Sequence, residues 1–329
     1  MTMTKLRLAR RAVTATVAVV CTTLVASCGL QSGSAVPLAV EPGSIQPVPA
    51  LEGVSLTVGS KDFTEQLILG YMIEYALSAA GADVRDLTNI QGSNSTHQAM
   101  LNGQVDITFE YTGTGWINYL KNEKPIPDAT KQFEAVRDAD AKNGLVWVNP
   151  APMDNTYALA MSRKVAEETG VKTLSDYAEL VKKDPALAQT CLETEFVSRQ
   201  DGFPGMAATY GFDPAVVPVK TLQTGLIYAS TATGGCRFGE VFTTDGRILG
   251  LDLQLVEDDK QFFPRYNATV VIRQEVAEKY PEIATVLEPI SKILTNEEIT
   301  KLNAKVDVDG EDPAEVARQW MVDKGFVTL

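Results

Sequence analysis

One histidine, His97, serves all 329 residues, and no Cys-x-x-Cys pair accompanies it. Structural zinc is held by clustered thiolates and imidazoles, so neither a metal centre nor any other cofactor is expected. A hydrolase needs a nucleophile beside a base, yet no Gly-x-Ser-x-Gly segment occurs. His97 falls in Gly92-Ser-Asn-Ser-Thr-His97, where it reads as a surface or helix-cap residue, and Asp258-Asp259 reads as a solvated turn. Positive charge is scarce: 29 Lys and Arg face 42 Asp and Glu, a net charge of −13. A surface this acidic argues against nucleic acid or an anionic membrane as partner and favours a soluble monomer. Internal repeats and low-complexity blocks are also missing, as is any membrane-length apolar run beyond the N-terminal segment.

That segment defines the compartment. Lys5, Arg7, Arg10 and Arg11 precede an uncharged apolar stretch from Ala12 to Ala26, too short and Thr-rich for a membrane span, so residues 1–27 read as a secretory signal. It ends in Val25-Ala-Ser-Cys28, which resembles the lipobox of bacterial lipoproteins. The resemblance implies cleavage before Cys28, lipidation of its thiol and anchoring at the outer face of the cytoplasmic membrane. Loss of four basic residues with the signal takes the net charge from −13 to −17. Cys191 and Cys236 then remain as free thiols in an oxidising compartment, where one disulfide is the simplest outcome. Residues 28–53, rich in Ser, Gly and Pro, are expected to be a flexible tether.

The remaining 275 or so residues suffice for two lobes. Short β runs alternate with helical periodicity: Ser55–Gly59, a helix over Asp62–Ala80, Ala82–Ile90, Thr96–Asn102 and Val105–Phe109. Asp62 with Glu65 has the spacing of a capping box and Gly81 supplies the stop. This β-α-β-α-β order implies a parallel sheet covered by helices. Leu145–Val148 and Tyr157–Met161 read as strands and Leu174–Val181 as a helix, with β and α elements of a second sheet at 190–196, 226–229 and 241–243. The C-terminal third is helical, with caps at Thr295 and at Asp312-Pro-Ala-Glu315.

Four polar stretches follow apolar strand-like runs: Gly59-Ser-Lys-Asp-Phe-Thr-Glu-Gln66, Tyr111-Thr-Gly-Thr114, Asp154-Asn-Thr-Tyr157 with Arg199-Gln-Asp-Gly202, and Phe263-Pro-Arg-Tyr266. Open α/β sheets bind ligands at the carboxyl ends of their strands, beside helix N-termini. Lys61 and Thr114 stand at such turns, and Arg199 adds a planar fork suited to a carboxylate. A quaternary ammonium has no N–H to donate, so it is recognised through aromatic faces. Tyr111, Tyr157, Phe242 and Tyr266 supply four, with Tyr228 a weaker fifth. Any one alone would more often be plain core.

An exported, two-lobed α/β chain of this kind resembles the substrate-binding proteins of ABC transporters, which have a type II periplasmic-binding fold of mixed and parallel sheets. At the four stretches, and at Thr243-Thr-Asp-Gly-Arg247, it is similar to the glycine betaine/choline group of osmoprotectant uptake systems, over about Leu56 to the C-terminus. The resemblance implies a discontinuous first lobe (54–154 and 267–329), a second lobe (155–266) and crossings near Met153–Thr156 and Arg265–Ala268. It implies an aromatic box of Tyr111, Tyr157, Phe242 and Tyr266, carboxylate contacts from Lys61, Thr114 and Arg199, and a permease with its ATPase subunits as partners. Phe242 stands where Tyr is common, which keeps the π face but loses a hydroxyl.

Each ring over a desolvated cation contributes about 0.5–2 kcal/mol, and each charged carboxylate contact roughly 1.5–3 kcal/mol. Choline would set a cation against Lys61 and Arg199; at ~6 Å and an effective dielectric of ~20, one such repulsion costs about 2.8 kcal/mol. Glycine betaine is therefore expected over choline, unless Glu195 or Asp154 neutralises Arg199. Carnitine and proline betaine share both end groups. A binding protein for another amino-acid-like solute, an exported hydrolase and a structural envelope lipoprotein are the rival readings.

Overall fold

The computed structural model describes residues 37–329. The signal segment and Cys28 lie outside the described residues. The first part of the chain comprises strand β1 (Glu41–Pro42), β2 (Ser55–Lys61), helix α1 (Thr64–Ala79), β3 (Asp83–Ile90), α2 (Ser93–Leu101), β4 (Ile107–Tyr111), α3 (Ala129–Asp140) and β5 (Leu145–Val148). The middle comprises β6 (Tyr157–Ser162), α4 (Arg163–Thr169), α5 (Leu174–Lys183), β7 (Thr190–Leu192), α6 (Thr194–Ser198), α7 (Phe203–Tyr210), β8 (Val219–Thr221), α8 (Thr224–Ala232), β9 (Phe238–Phe242), α9 (Arg247–Gly250) and β10 (Leu253–Val256). The chain then returns through β11 (Ala268–Arg273), α10 (Gln274–Lys279), α11 (Glu282–Ile293), α12 (Asn296–Asp307), α13 (Pro313–Asp323) and β12 (Val327–Thr328).

Two five-stranded sheets result, in the orders β3-β2-β4-β11-β5 and β8-β7-β9-β6-β10. Each has three parallel strands. Beside them lies an antiparallel strand arriving from the other lobe, β11 in one and β6 in the other, with an antiparallel neighbour beyond it. The sequence shows no repeat, but the topology repeats. The two linking segments run side by side, with Asp154 bridging Asn267 antiparallel. Asp154 also accepts from the Tyr266 N–H at 2.7 Å and from Arg265 at 2.9 Å.

Helix α1 is apolar almost all round, with Ile68, Leu69, Met72, Ile73, Ala76 and Leu77 buried. Such a helix needs cover on every side; β2 and β3 provide one face and α11, α12 and α13 the other. Its start departs from expectation. Phe63 is the N-cap and makes no side-chain cap bond. Asp62 instead accepts from the Gly92 N–H at 3.2 Å, and Glu65 is drawn into the interior. A second departure concerns the expected tether. Glu41–Pro42 pair with Val327–Thr328, Ile45 and Leu51 are buried, and the Val48 N–H donates to Ala80. Residues from Glu41 onward are thus part of the fold, because these apolar side chains cover the end of α1. The 190–196 stretch divides into a strand and a helix. No described helix is long and apolar enough to cross a membrane.

Cys191 on β7 is joined to Cys236, just before β9, with Cα atoms 5.8 Å apart. The bridge closes a 45-residue span inside the second sheet's lobe. Titration of the denatured, unreduced protein covering residues 37–329 should find no free thiol; two would exclude the bridge.

Glu74 on α1 is fully buried with both carboxyl oxygens unpartnered. Burial first, then the charge of Asp86, pushes its carboxyl up to about 9 from 4.5. Across that window the native state keeps a proton that the unfolded chain releases, so this group's contribution to stability falls as pH rises from 4.5 through 9. Glu74→Gln should be more stable than the parent by a few kcal/mol at pH 8, the gap closing toward pH 4. Urea titrations at both pH values read this; a pH-independent difference would show that Glu74 does not hold the proton.

Candidate ligand-binding site

A cleft of about 440 Å³ lies between the two sheets. Its walls come from one edge of each sheet. On that edge β2 ends at Lys61, β4 at Tyr111 and β9 at Phe242, while antiparallel β6 begins at Tyr157. All seven residues expected to touch ligand line this cleft: Lys61, Tyr111, Thr114, Tyr157, Arg199, Phe242 and Tyr266.

The rings form an arc. Tyr157 and Phe242 are cross-strand partners with centroids 5.2 Å apart. Tyr266 meets Tyr157 edge-on, also at 5.2 Å. Phe63, not picked out from the sequence, continues the arc at 5.2 Å from Phe242 and 6.3 Å from Tyr111. Its signal was available, since it stands in the turn between β2 and α1, two residues past Lys61. Gly113 lets the arc close, because a Cβ there would lie 2.7 Å from the Tyr266 ring. Tyr228 is outside it: fully buried, it accepts from the Phe242 N–H at 2.9 Å and lies under Arg247.

Glu65 sits behind the rings and is fully buried. Oε1 accepts from Tyr111 Oη at 2.7 Å and Asn155 Nδ2 at 2.8 Å; Oε2 accepts from Thr244 Oγ1 at 2.6 Å and Asn303 Nδ2 at 3.0 Å. Burial pushes this carboxyl up, and the four donors pull it back. Burial likewise raises the Tyr111, Tyr157 and Tyr266 hydroxyls, which stay protonated.

The cations are not free. Lys61 Nζ donates to Glu110 Oε1, whose partner oxygen accepts from Tyr119 Oη. Arg199 grips Asp201 through Nε and Nη2, and Nη1 reaches Glu195 at 3.5 Å. Of the two carboxylates considered as neutralisers, Glu195 does approach Arg199, whereas Asp154 is taken by Arg265. Asp201 was missed; its place two residues beyond Arg199 in Arg199-Gln-Asp-Gly202 was the available clue. Thr114 lies on a single wide helical turn over Thr114–Tyr119. Glu193, Glu195 and buried Glu240 add a row of carboxyls on the second lobe. His97 is neither cap nor open surface: half-buried within α2, it stacks on Tyr119 at 4.0 Å.

Residues 54–323 match the family described as the substrate-binding domain of ABC-type glycine betaine transport systems. A glycine-betaine-binding protein of Pseudomonas aeruginosa is 36% identical over 272 residues, 81% of this chain and 87% of that protein. An ergothioneine transport permease/ergothioneine binding protein of Helicobacter pylori is 34% identical over 84% of this chain, which spans 48% of that longer protein. A solved structure described as a glycine betaine/carnitine/choline ABC transporter superposes with a TM-score of 0.66 at 27% identity, covering 82% of this chain and 99% of that one. Sheet topology, inter-lobe cleft and these similarities agree: the chain belongs to the substrate-binding family of ABC-type glycine betaine transport systems and is a transport protein, not an enzyme.

Proposed function

We propose that the protein captures glycine betaine in this cleft and hands it to a membrane permease driven by ATPase subunits, itself a monomer held at the outer face of the cytoplasmic membrane by lipidated Cys28. The observation that carries this reading is the five-ring arc drawn from both lobes. Tyr111, Tyr157, Phe242, Tyr266 and Phe63 receive the trimethylammonium, and Lys61, Thr114 and Arg199 direct donors at the carboxylate. Rings contributing about 0.5–2 kcal/mol each and carboxylate bonds of roughly 1.5–3 kcal/mol, less the cost of association, support a Kd on the order of 1 μM. Lobe closure about the paired linking segments shuts the cleft.

Because Lys61 and Arg199 are each paired, they select a carboxylate by donor direction more than by net charge. The penalty for choline shrinks accordingly, to about tenfold rather than a hundredfold.

A larger betaine is the second reading. The cleft volume and the carboxyl row suit a ligand with ring N–H donors beyond its trimethylammonium, as in the ergothioneine bound by the Helicobacter relative. Glu240 is pushed up to about 8, by burial first and the nearby Glu193 charge, while the Glu193 N–H and Arg199 oppose the rise.

Calorimetric titration with glycine betaine, choline, carnitine, proline and ergothioneine ranks these readings. Glycine betaine should bind tightest, and Tyr157→Ala and Phe242→Ala should each weaken it at least tenfold. Arg199→Lys, which keeps a charge beside Asp201 but loses the fork, should weaken glycine betaine roughly 10–100-fold and choline far less. Unchanged affinity in both ring variants would remove the aromatic assignment, and equal losses for the two ligands the carboxylate one.

A further inference from the structure

We propose that Glu195 is a positioning residue for ligand capture: it caps helix α2 of the opposite lobe and couples Arg199 to closure of the cleft. The proposal rests on the reading that the ligand's carboxylate approaches Arg199.

Helix α2 cannot cap itself. Its N-cap is Gly92, which has no side chain, and its first N–H groups need acceptors. Asp62 of the same lobe takes the Gly92 N–H; the Ser93 N–H donates to Glu195 Oε1 at 2.6 Å. Glu195 comes from α6, in the lobe of the second sheet, so the cap of a first-lobe helix is completed across the cleft. A carboxylate there also faces the positive end of the helix dipole. Only glycine suits position 92: its φ is +80°, and a Cβ would stand 2.9 Å from Glu195 Oε1.

The same carboxylate serves two masters. Glu195 Oε2 lies 3.5 Å from Arg199 Nη1, one helical turn away, while Asp201 occupies Nε and Nη2. On the first-lobe side the Ser93 carbonyl accepts from Tyr119 Oη at 2.9 Å, and Tyr119 also reaches Glu110, the partner of Lys61. Lys61 and Arg199 are therefore joined by one polar belt whose step between lobes is Ser93–Glu195. With the lobes apart, Glu195 loses Ser93 and has Arg199 alone to pair with. A ligand carboxylate arriving at Nη1 competes for that pairing and releases Glu195 toward α2. Occupancy and closure then favour each other.

The test compares the parent with Glu195→Ala and Glu195→Gln, using glycine betaine in stopped-flow fluorescence and small-angle scattering, with melting of the ligand-free proteins. A lost helix cap corresponds to roughly a 5–30-fold change. Glu195→Ala should raise the dissociation rate by that factor, leave the association rate within about twofold and give a more extended particle at saturating ligand. Glu195→Gln, which keeps an acceptor oxygen, should lose less. An unchanged dissociation rate, a loss carried by association, or a lower melting temperature without a kinetic change would overturn the proposal. Should the parent not bind glycine betaine at all, the proposed function fails; the strut is then read from ligand-free scattering, where Glu195→Ala must be more extended than the parent and equal radii overturn it.

Discussion

The Glu65 carboxylate is the interaction on which the arrangement of the lobes depends. A buried carboxyl left without partners is unfavourable, burial holds this one above the usual carboxylate range, and its four hydrogen-bond partners are all neutral. Four neutral donors replace its hydration, and they come from distant parts of the chain. Tyr111 ends β4, Asn155 lies on a linking segment, Thr244 follows β9 of the other lobe and Asn303 belongs to α12. Asn303 also donates to the Thr244 carbonyl, so the knot ties both lobes to the C-terminal helices. One of its donors, Tyr111, presents its ring to the cleft. Fixing the carboxyl therefore fixes the position of one wall of the cleft.

The cleft holds more organised charge than net charge. Lys61, Arg199 and Arg247 each meet a carboxylate inside the protein, Glu110, Asp201 and Asp245 respectively. Such pairs hold donors in fixed directions before any ligand arrives, which is how a site recognises a carboxylate without a large reorganisation cost. The aromatic arc is likewise fixed in advance. Its rings are spaced by sheet register and by the close approach at Gly113, not by the ligand.

Much of this was legible in the residues. The strand-helix alternation and the caps at Thr295 and Asp312 follow from local periodicity and turn chemistry, which are short-range. The seven residues expected to touch ligand line one cleft because strand ends share an edge: Lys61, Tyr111 and Phe242 end strands there, and Tyr157 begins an antiparallel one. What stayed hidden is long-range. Glu65 looked like half of a capping box, since its four partners lie 46 to 238 residues away. Asp201 and Glu110 were hidden because pairing of a cation depends on which carboxylate the fold delivers. Residues 41–53 looked like a tether because Ile45, Val48 and Leu51 are sparse; their burial depends on the uncovered end of α1. Neither sheet's return strand could be read from order alone, since β11 enters the first sheet from 157 residues beyond β4.

The pairing of β1 with β12 has a mechanical consequence. Both ends of the described chain sit on the same body as α1 and α13. The middle portion, β6 through β10, is a loop hung from two adjacent strands. A rotation about those strands would turn the middle portion as a pendant with no free end and leave both ends of the described chain on the body that holds α1.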